Sequence, residues 1–331
     1  MTRVRVAVDA MGGDSAPDEV VAGAIEATSD EVEPVLYGRR ELLEPLAGDL
    51  EIVHTEDVVA MDDKPADAAR EKRESSMFVA CRAVGEGSAG AVVSAGNTGA
   101  MLAAGLLEIR RLPDVHRPGI AVPLPSIGGT SVLIDAGANA DARPEHLVQF
   151  AQMGAVFAQE VLTIREPAVA LLSIGEEAEK GNRLVRETHP LLEEASGLHF
   201  IGNVESRDLL EHVADVVVCD GFTGNMTLKL MEGTIKTLLD ALRAEITSSP
   251  GGKVGGLLIR PAARRLRHRL DPDTYGGAYL LGLRGLAVIA HGSSSRTAIA
   301  NAIRPGAQGA RAHVVERVSL RLAERVGAIR T

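Results

Sequence analysis

The sequence predicts an α/β protein with a doubly wound, mostly parallel sheet in three α/β/α layers, and three observations carry that expectation. Short β-branched runs recur at 4–8, 91–93, 131–134, 168–172 and 216–218, each followed by Gly, Asp or Asn. Stretches with helical spacing, such as 19–27, 145–160 and 207–213, lie between them, and that alternation is the mark of parallel strands joined by helices. Composition is the third: 45% of the 331 residues are hydrophobic, yet 2% are aromatic and none is Trp. The core must therefore be built from Ala, Val, Leu and Ile.

No repeat, low-complexity tract or linker divides the chain, so one domain over 1–331 is expected. One segment breaks the rhythm: a long helix at 228–246, a Gly-rich stretch at 248–256 and a basic helix at 257–270. Residues 235–272 are read as a protruding helical arm. Leu258, Ala262, Leu266 and Leu270 recur every four residues among Arg260, Arg264, Arg265, Arg267 and Arg269. Such a basic amphipathic helix suits either an anionic membrane or acidic partner, or a dimer or core contact with a solvated arginine face.

The formal charge of −10 repels nucleic acid at long range and confines any anionic partner to a local basic patch. Cys81 and Cys219 stand far apart without CxxC spacing, which argues for a reducing, cytoplasmic setting and against structural zinc. Asp9 and Asp14 interrupt the first apolar stretch, so no secretion leader is expected. No apolar run approaches the roughly 18–20 residues that span a bilayer.

Polar turns in five sets follow the strands in order, the third set holding two. Asp9 to Asp14 (DAMGGD) leads into a helix that Ser15 or Asp14 would cap, with Pro17 in its first turn; Gly12 and Gly13 suit either an anion or a plain strand-to-helix turn. It matches neither nucleotide fingerprint. Asn97 and Thr98, in SAGNTG, would either donate to phosphate oxygens or only cap a helix. DAGAN at Asp135 and SIGEEAEKGN at Ser173 come next, where Lys180 either neutralises phosphate or pairs with Glu176 or Glu177. Asp220 to Asn225 (DGFTGN) offers another cradle, with Cys219 read as a core thiol rather than a nucleophile. Asp9, Asp135 and Asp220 lack a fixed cation-binding motif, so no metal is expected.

The fifth set, His291 to Arg296 (HGSSSR), supplies the best acid–base candidate in His291, with a hydrogen-bonded cap as the alternative. Arg70, Lys72 and Arg73 either face the pocket or decorate a helix; two are read as surface, and Arg70 is the one to test. Because ligands of doubly wound sheets sit beyond the strands' carboxyl ends, these turns are expected to share one crevice.

Taken in order, DAMGGD, SAGNTGA, DAGAN, SIGEEAEKGN, GNVESRD, CDGFTGN and AHGSSS resemble the bacterial phosphate acyltransferases, which convert fatty acyl-acyl carrier protein and inorganic phosphate into acyl phosphate for phospholipid synthesis. The resemblance spans almost the whole chain. It implies an isocitrate/isopropylmalate dehydrogenase-like or phosphotransacetylase-like fold, a homodimer, no organic cofactor and peripheral contact with the inner membrane face. It also implies a membrane glycerol-3-phosphate acyltransferase as the recipient of the product. Tyr279 departs from the family pattern, where a smaller residue is expected.

On that basis Asn97, Lys180, Asn225 and His291 are the expected catalytic set. Asp9, Gly12, Gly13, Asp14, Arg70, Thr98, Asn182, Asp220, Ser293 and Ser294 are expected to bind phosphate or substrate. Leu258, Arg264, Arg265 and Leu266 are expected to touch membrane or carrier protein. A coenzyme A phosphotransacetylase, a nicotinamide-dependent dehydrogenase and a non-catalytic lipid-binding scaffold are the competing readings.

Overall fold

The computed structural model describes residues 3–270, 274 and 276–329. The chain opens with β1 (Val4–Asp9), α1 (Asp18–Ala27), β2 (Val32–Gly38), α2 (Arg40–Leu43) and β3 (Glu51–His54). It continues through α3 (Pro65–Glu71), α4 (Ser76–Gly85), β4 (Ala91–Ser94), α5 (Thr98–Ala104), β5 (Gly119–Pro125) and β6 (Thr130–Ile134). Next come α6 (Pro144–Glu160), β7 (Ala168–Ser173), α7 (Arg183–Glu193), β8 (His199–Glu205) and β9 (Val216–Val218). The last elements are α8 (Gly221–Thr247), α9 (Pro250–Leu270), β10 (Ala278–Leu281), β11 (Leu286–Ile289), α10 (Arg296–Arg311) and α11 (Val314–Ile329).

All eleven strands join one sheet in the order β3-β2-β1-β4-β11-β10-β5-β6-β9-β7-β8. Helices cover both faces, because successive strand residues point to opposite sides. Val6 and Val8 pack under α1 and α10, whereas Ala7 belongs to the core under α4; Val216 and Val218 likewise separate from Val217. The expected α/β/α layering is what the chain adopts.

Pairing is parallel except at β11–β10, β10–β5 and β5–β6. Those three antiparallel pairs reverse the ladder. Strands β1, β4 and β11 run one way, and β6, β9 and β7 run the other. The carboxyl-end turns therefore form two groups rather than the single row that an all-parallel sheet would give.

Local differences have local causes. Residues 207–213 are largely a 3-10 helix, Ser206–Glu211, ended by His212 in the left-handed region. The glycines at 251, 252, 255 and 256 lie inside α9 rather than in a loop. Gly252 is required there, since a Cβ would run into the Ile246 carbonyl oxygen where α9 turns back on α8. α9 packs chiefly on α8, leaving Leu230, Leu238, Leu257 and Leu258 exposed. Asp271 and Pro272, at the end of the expected arm, lie outside the described residues.

Candidate active site

The first group of turns gathers around Asp9, at the end of β1. Its carboxylate is buried and accepts hydrogen bonds from Ser76 Oγ at 2.5 Å and Ser94 Oγ at 2.6 Å. Ser94 Oγ in turn accepts from the Gly96 amide. Asp9 thus ties β1, β4 and α4 together instead of facing a ligand, which corrects its expected role. Ser76 was missed by sequence reasoning because a serine at a helix start reads as an ordinary cap.

The glycines beside it pack against protein. Gly13, at φ +113°, fits between Ala95 and the Gly292 carbonyl, which accepts from the Asp14 amide at 2.7 Å. Neither Ser15 nor Asp14 caps α1; Pro17 holds that position without a side-chain cap. Asp18 and Glu19 already complement the helix dipole, and Glu19 grips Arg296. The DAMGGD turn is thus held by protein contacts, and carboxylates line the helix start that follows it.

Burial raises the Asp9 pKa, with the serine hydrogen bonds opposing the shift. A folded-state pKa above the unfolded value favours folding most below the unfolded pKa, and that contribution is lost as pH rises through the folded pKa. Asp9→Asn should flatten this pH dependence in urea titrations. An unchanged slope would show that another group sets it.

Asn97 caps α5 by accepting from the Ala100 amide at 2.9 Å and donates both amide hydrogens, to the Met61 carbonyl at 2.8 Å and the Asp63 carbonyl at 3.0 Å. Both donors are spent, so the expected donation to phosphate gives way to holding the 61–63 loop. Thr98 is exposed beside it. Lys72 pairs with Asp63 and Arg73 with Glu108, while the exposed Arg70 has no ion pair among the described residues. At the end of β11, His291 Nδ1 lies 2.9 Å from Ser293 Oγ and accepts from the Ser293 amide at 3.3 Å. That bond leaves the neutral imidazole's proton on Nε2. Ser294 is buried and its amide donates to the His291 carbonyl, so it shapes this turn.

The second group is organised by Asp135, which is fully buried. Its Oδ1 accepts from the amides of Ile120, Gly137 and Ala138, and its Oδ2 from the amide and side-chain nitrogen of Asn139. Asp220 caps α8 by accepting from the Thr223 amide and hydroxyl. Gly224 is needed because a Cβ there would strike the Asp135 carbonyl. Burial pushes the Cys219 thiol well up, and Cys81 is likewise a buried free thiol, so neither is an activated nucleophile.

Asn182 caps α7 through the Val185 amide. Across that loop, Asn203 donates to the Glu177 carbonyl at 2.9 Å and pairs through Oδ1 with His189 Nδ1. These two loop-holding residues were missed; the string GNVESRD was the only trace of Asn203. Ser173 Oγ is buried without a partner beneath Gly181.

A division of labour results. Asp135, Asp220 and Asn182 are committed chiefly to backbone, whereas the side chains of Lys180 and Asn225 are exposed and have no hydrogen bond or ion pair among the described residues. Lys180 is therefore not paired with Glu176 or Glu177, and Asn225 lies over Gly137. Tyr279 sits in the core, its ring centroid 4.6 Å from that of Phe157, so its unusual size serves packing. Among the described residues no cluster of His, Cys, Asp and Glu could hold a metal ion, and no helix is long and apolar enough to cross a membrane.

Residues 4–317 match the family model described as fatty acid synthesis protein. The phosphate acyltransferase of Heliobacterium modesticaldum is 48% identical over 315 residues, covering 92% of this chain and 94% of that one. A phosphotransacetylase from Streptococcus pyogenes shares the fold at TM-score 0.63 and 18% identity, covering 93% and 94% of the two chains. A protein described as a 4-hydroxythreonine-4-phosphate dehydrogenase from Salmonella typhimurium is similar at TM-score 0.50 and 13% identity, covering 93% and 99%.

Proposed function

This chain belongs to the phosphate acyltransferase family, and from that premise we propose that it moves a fatty acyl group from acyl carrier protein to inorganic phosphate. The acyl phosphate would feed membrane phospholipid synthesis through a membrane glycerol-3-phosphate acyltransferase. One observation carries the reading: at the ends of β6, β7 and β9, the anchoring side chains are spent on backbone while Lys180 and Asn225 stand free.

The chemistry asks little of a base. A phosphate oxygen attacks the thioester carbonyl carbon, the tetrahedral oxyanion collapses, and the C–S bond breaks with its electron pair on sulfur. Phosphate is anionic near neutral pH, and a thiol of pKa near roughly 8.5 is a competent leaving group. The protein must position phosphate, offset its charge and donate to the oxyanion. Lys180 offsets charge and Asn225 donates its amide. The Nε2–H of His291 is a hydrogen-bond donor to the departing thiolate, with Ser293 holding the ring; Thr98 and Arg70 complete that wall. This assignment requires the two groups of turns to meet at the acyl carbonyl.

The family likeness also supports a cytoplasmic homodimer in peripheral contact with anionic membrane. Arg264 and Arg265 on α9, beside the exposed Leu258 and Leu266, are suited to lipid headgroups or to an acidic carrier protein. Mass spectrometry should detect acyl phosphate when the protein is given fatty acyl-acyl carrier protein and phosphate. Product only from the coenzyme A thioester would overturn the carrier-protein assignment, and no product from either would overturn the acyl transfer.

A further inference from the structure

Strand β8 carries an extra residue. Val169 of β7 faces Phe200 and Leu171 faces Asn203, so β8 advances one residue more than β7 over the same stretch. Gly202 absorbs the difference at φ +101°, in the left-handed region that a side chain rarely adopts. The bulge changes which way the strand points its side chains. In an unbroken strand Phe200 and Val204 would share a face. Instead, Phe200 packs against the core that holds Val185 and Leu192 of α7, and Val204 belongs to the opposite core. Asn203 is thereby turned towards α7, where it is buried beside His189.

Hydrogen bonds run from there to Lys180. Asn203 Nδ2 donates to the Glu177 carbonyl at 2.9 Å, and the Lys180 backbone amide donates to that same carbonyl at 3.0 Å. A carbonyl only accepts, so the amide nitrogen of Asn203 must face it and Oδ1 must face His189 Nδ1, 2.9 Å away. Oδ1 only accepts in turn, so Nδ1 of His189 carries a proton. The imidazole is held edge-on against the Phe200 ring, with centroids 5.2 Å apart, and its Nε2 lies 3.5 Å from Glu193. Beyond Lys180, Asn182 caps α7. The turn is thus tied on both sides of Lys180, whose side chain stays exposed.

We propose that Asn203, aimed by the Gly202 bulge and oriented by His189, is a positioning residue for Lys180 that sets where the ammonium meets phosphate. This rests on the assignment of Lys180 to phosphate above and adds the residues on which that placement depends. The influence of Asn203 passes through the carbonyl it shares with the Lys180 amide. A side chain of the same shape that cannot donate frees the turn to shift, and a misplacement of about 1 Å can cost on the order of 10²-fold.

Asn203→Asp keeps the shape and the contact with His189 but sets an acceptor against the Glu177 carbonyl. With hexadecanoyl-acyl carrier protein as acyl donor, it should raise KM for inorganic phosphate at least about tenfold and leave KM for the thioester within about twofold. In a Lys180→Ala background the same substitution should add less than about twofold, since the group it positions is gone. His189→Phe keeps a ring without an N–H and should raise the phosphate KM in the same way. His189→Asn, whose amide can take the place of Nδ1–H, should stay within about threefold of wild type. The two His189 variants carry the test if Asn203→Asp does not fold. An unchanged phosphate KM, equal rises in both KM values, a fall in kcat alone as from a smaller folded fraction, or a full effect without Lys180 would overturn the proposal. A wild type that forms no acyl phosphate, or Lys180→Ala with an unaltered phosphate KM, would instead bring down the Lys180 assignment and the positioning role with it.

Discussion

Asp135→Ala is expected to lose about 4 kcal/mol of stability or more, seen as a lower urea midpoint with the slope retained. Five nitrogen donors converge on this one buried carboxylate, from β5, the following turn and Asn139. Alanine leaves them in a site that water cannot readily enter, and each buried unsatisfied group costs about 1–3 kcal/mol before relaxation. Asp220→Ala is the comparison. That carboxylate is a helix cap closer to solvent, so its loss should cost about 1 kcal/mol. Equal effects would show that Asp135 is no more than an ordinary cap.

Lys180→Ala and Asn225→Ala should each lower kcat/KM on the order of 10²- to 10³-fold while leaving stability within about 0.5 kcal/mol. Both side chains are exposed and hold nothing else in place. Asn97→Ala should do the reverse, costing about 1–2 kcal/mol because it frees a cap and two carbonyls. Near-wild-type turnover in the first two variants would remove them from the active site. A stability loss in Lys180→Ala comparable to that of Asn97→Ala would mean the lysine is structural.

The layering was legible in the sequence because buried parallel strands leave short β-branched runs between longer helical spacings, as at 4–8 and 216–218. The reversal at β10 and β5 was not. Strands at 119–125 and 278–281 have the same apolar character whichever way they pair, so direction cannot be read from periodicity. The edge strand Glu51–His54 is half-exposed and carries little apolar signal.

Site residues divided along a similar line. Asp, Asn and Gly after a strand mark a turn, and a turn can be found from sequence. Whether its side chains face inward to backbone, as Asp9 and Asn97 do, or outward, as Lys180 and Asn225 do, depends on which chain segment lies opposite. For Asp9 that segment is Ser76, and for Asn97 it is the 61–63 loop. No local pattern encodes either meeting.

The position of β11 also bears on synthesis from the ribosome. Leu286 of β11 pairs with Ala91 of β4, and α10 then packs on α1. The half-sheet containing the chain's first strands therefore lacks its inner neighbour until nearly the whole polypeptide has emerged. Strands β6 to β9, by contrast, come from one continuous stretch and can pair as soon as Val218 is free. Vectorial folding would end by inserting β11 beside β4 and docking α10 on α1, with the inner edge of the amino-terminal strands exposed longest to chaperones and to aggregation.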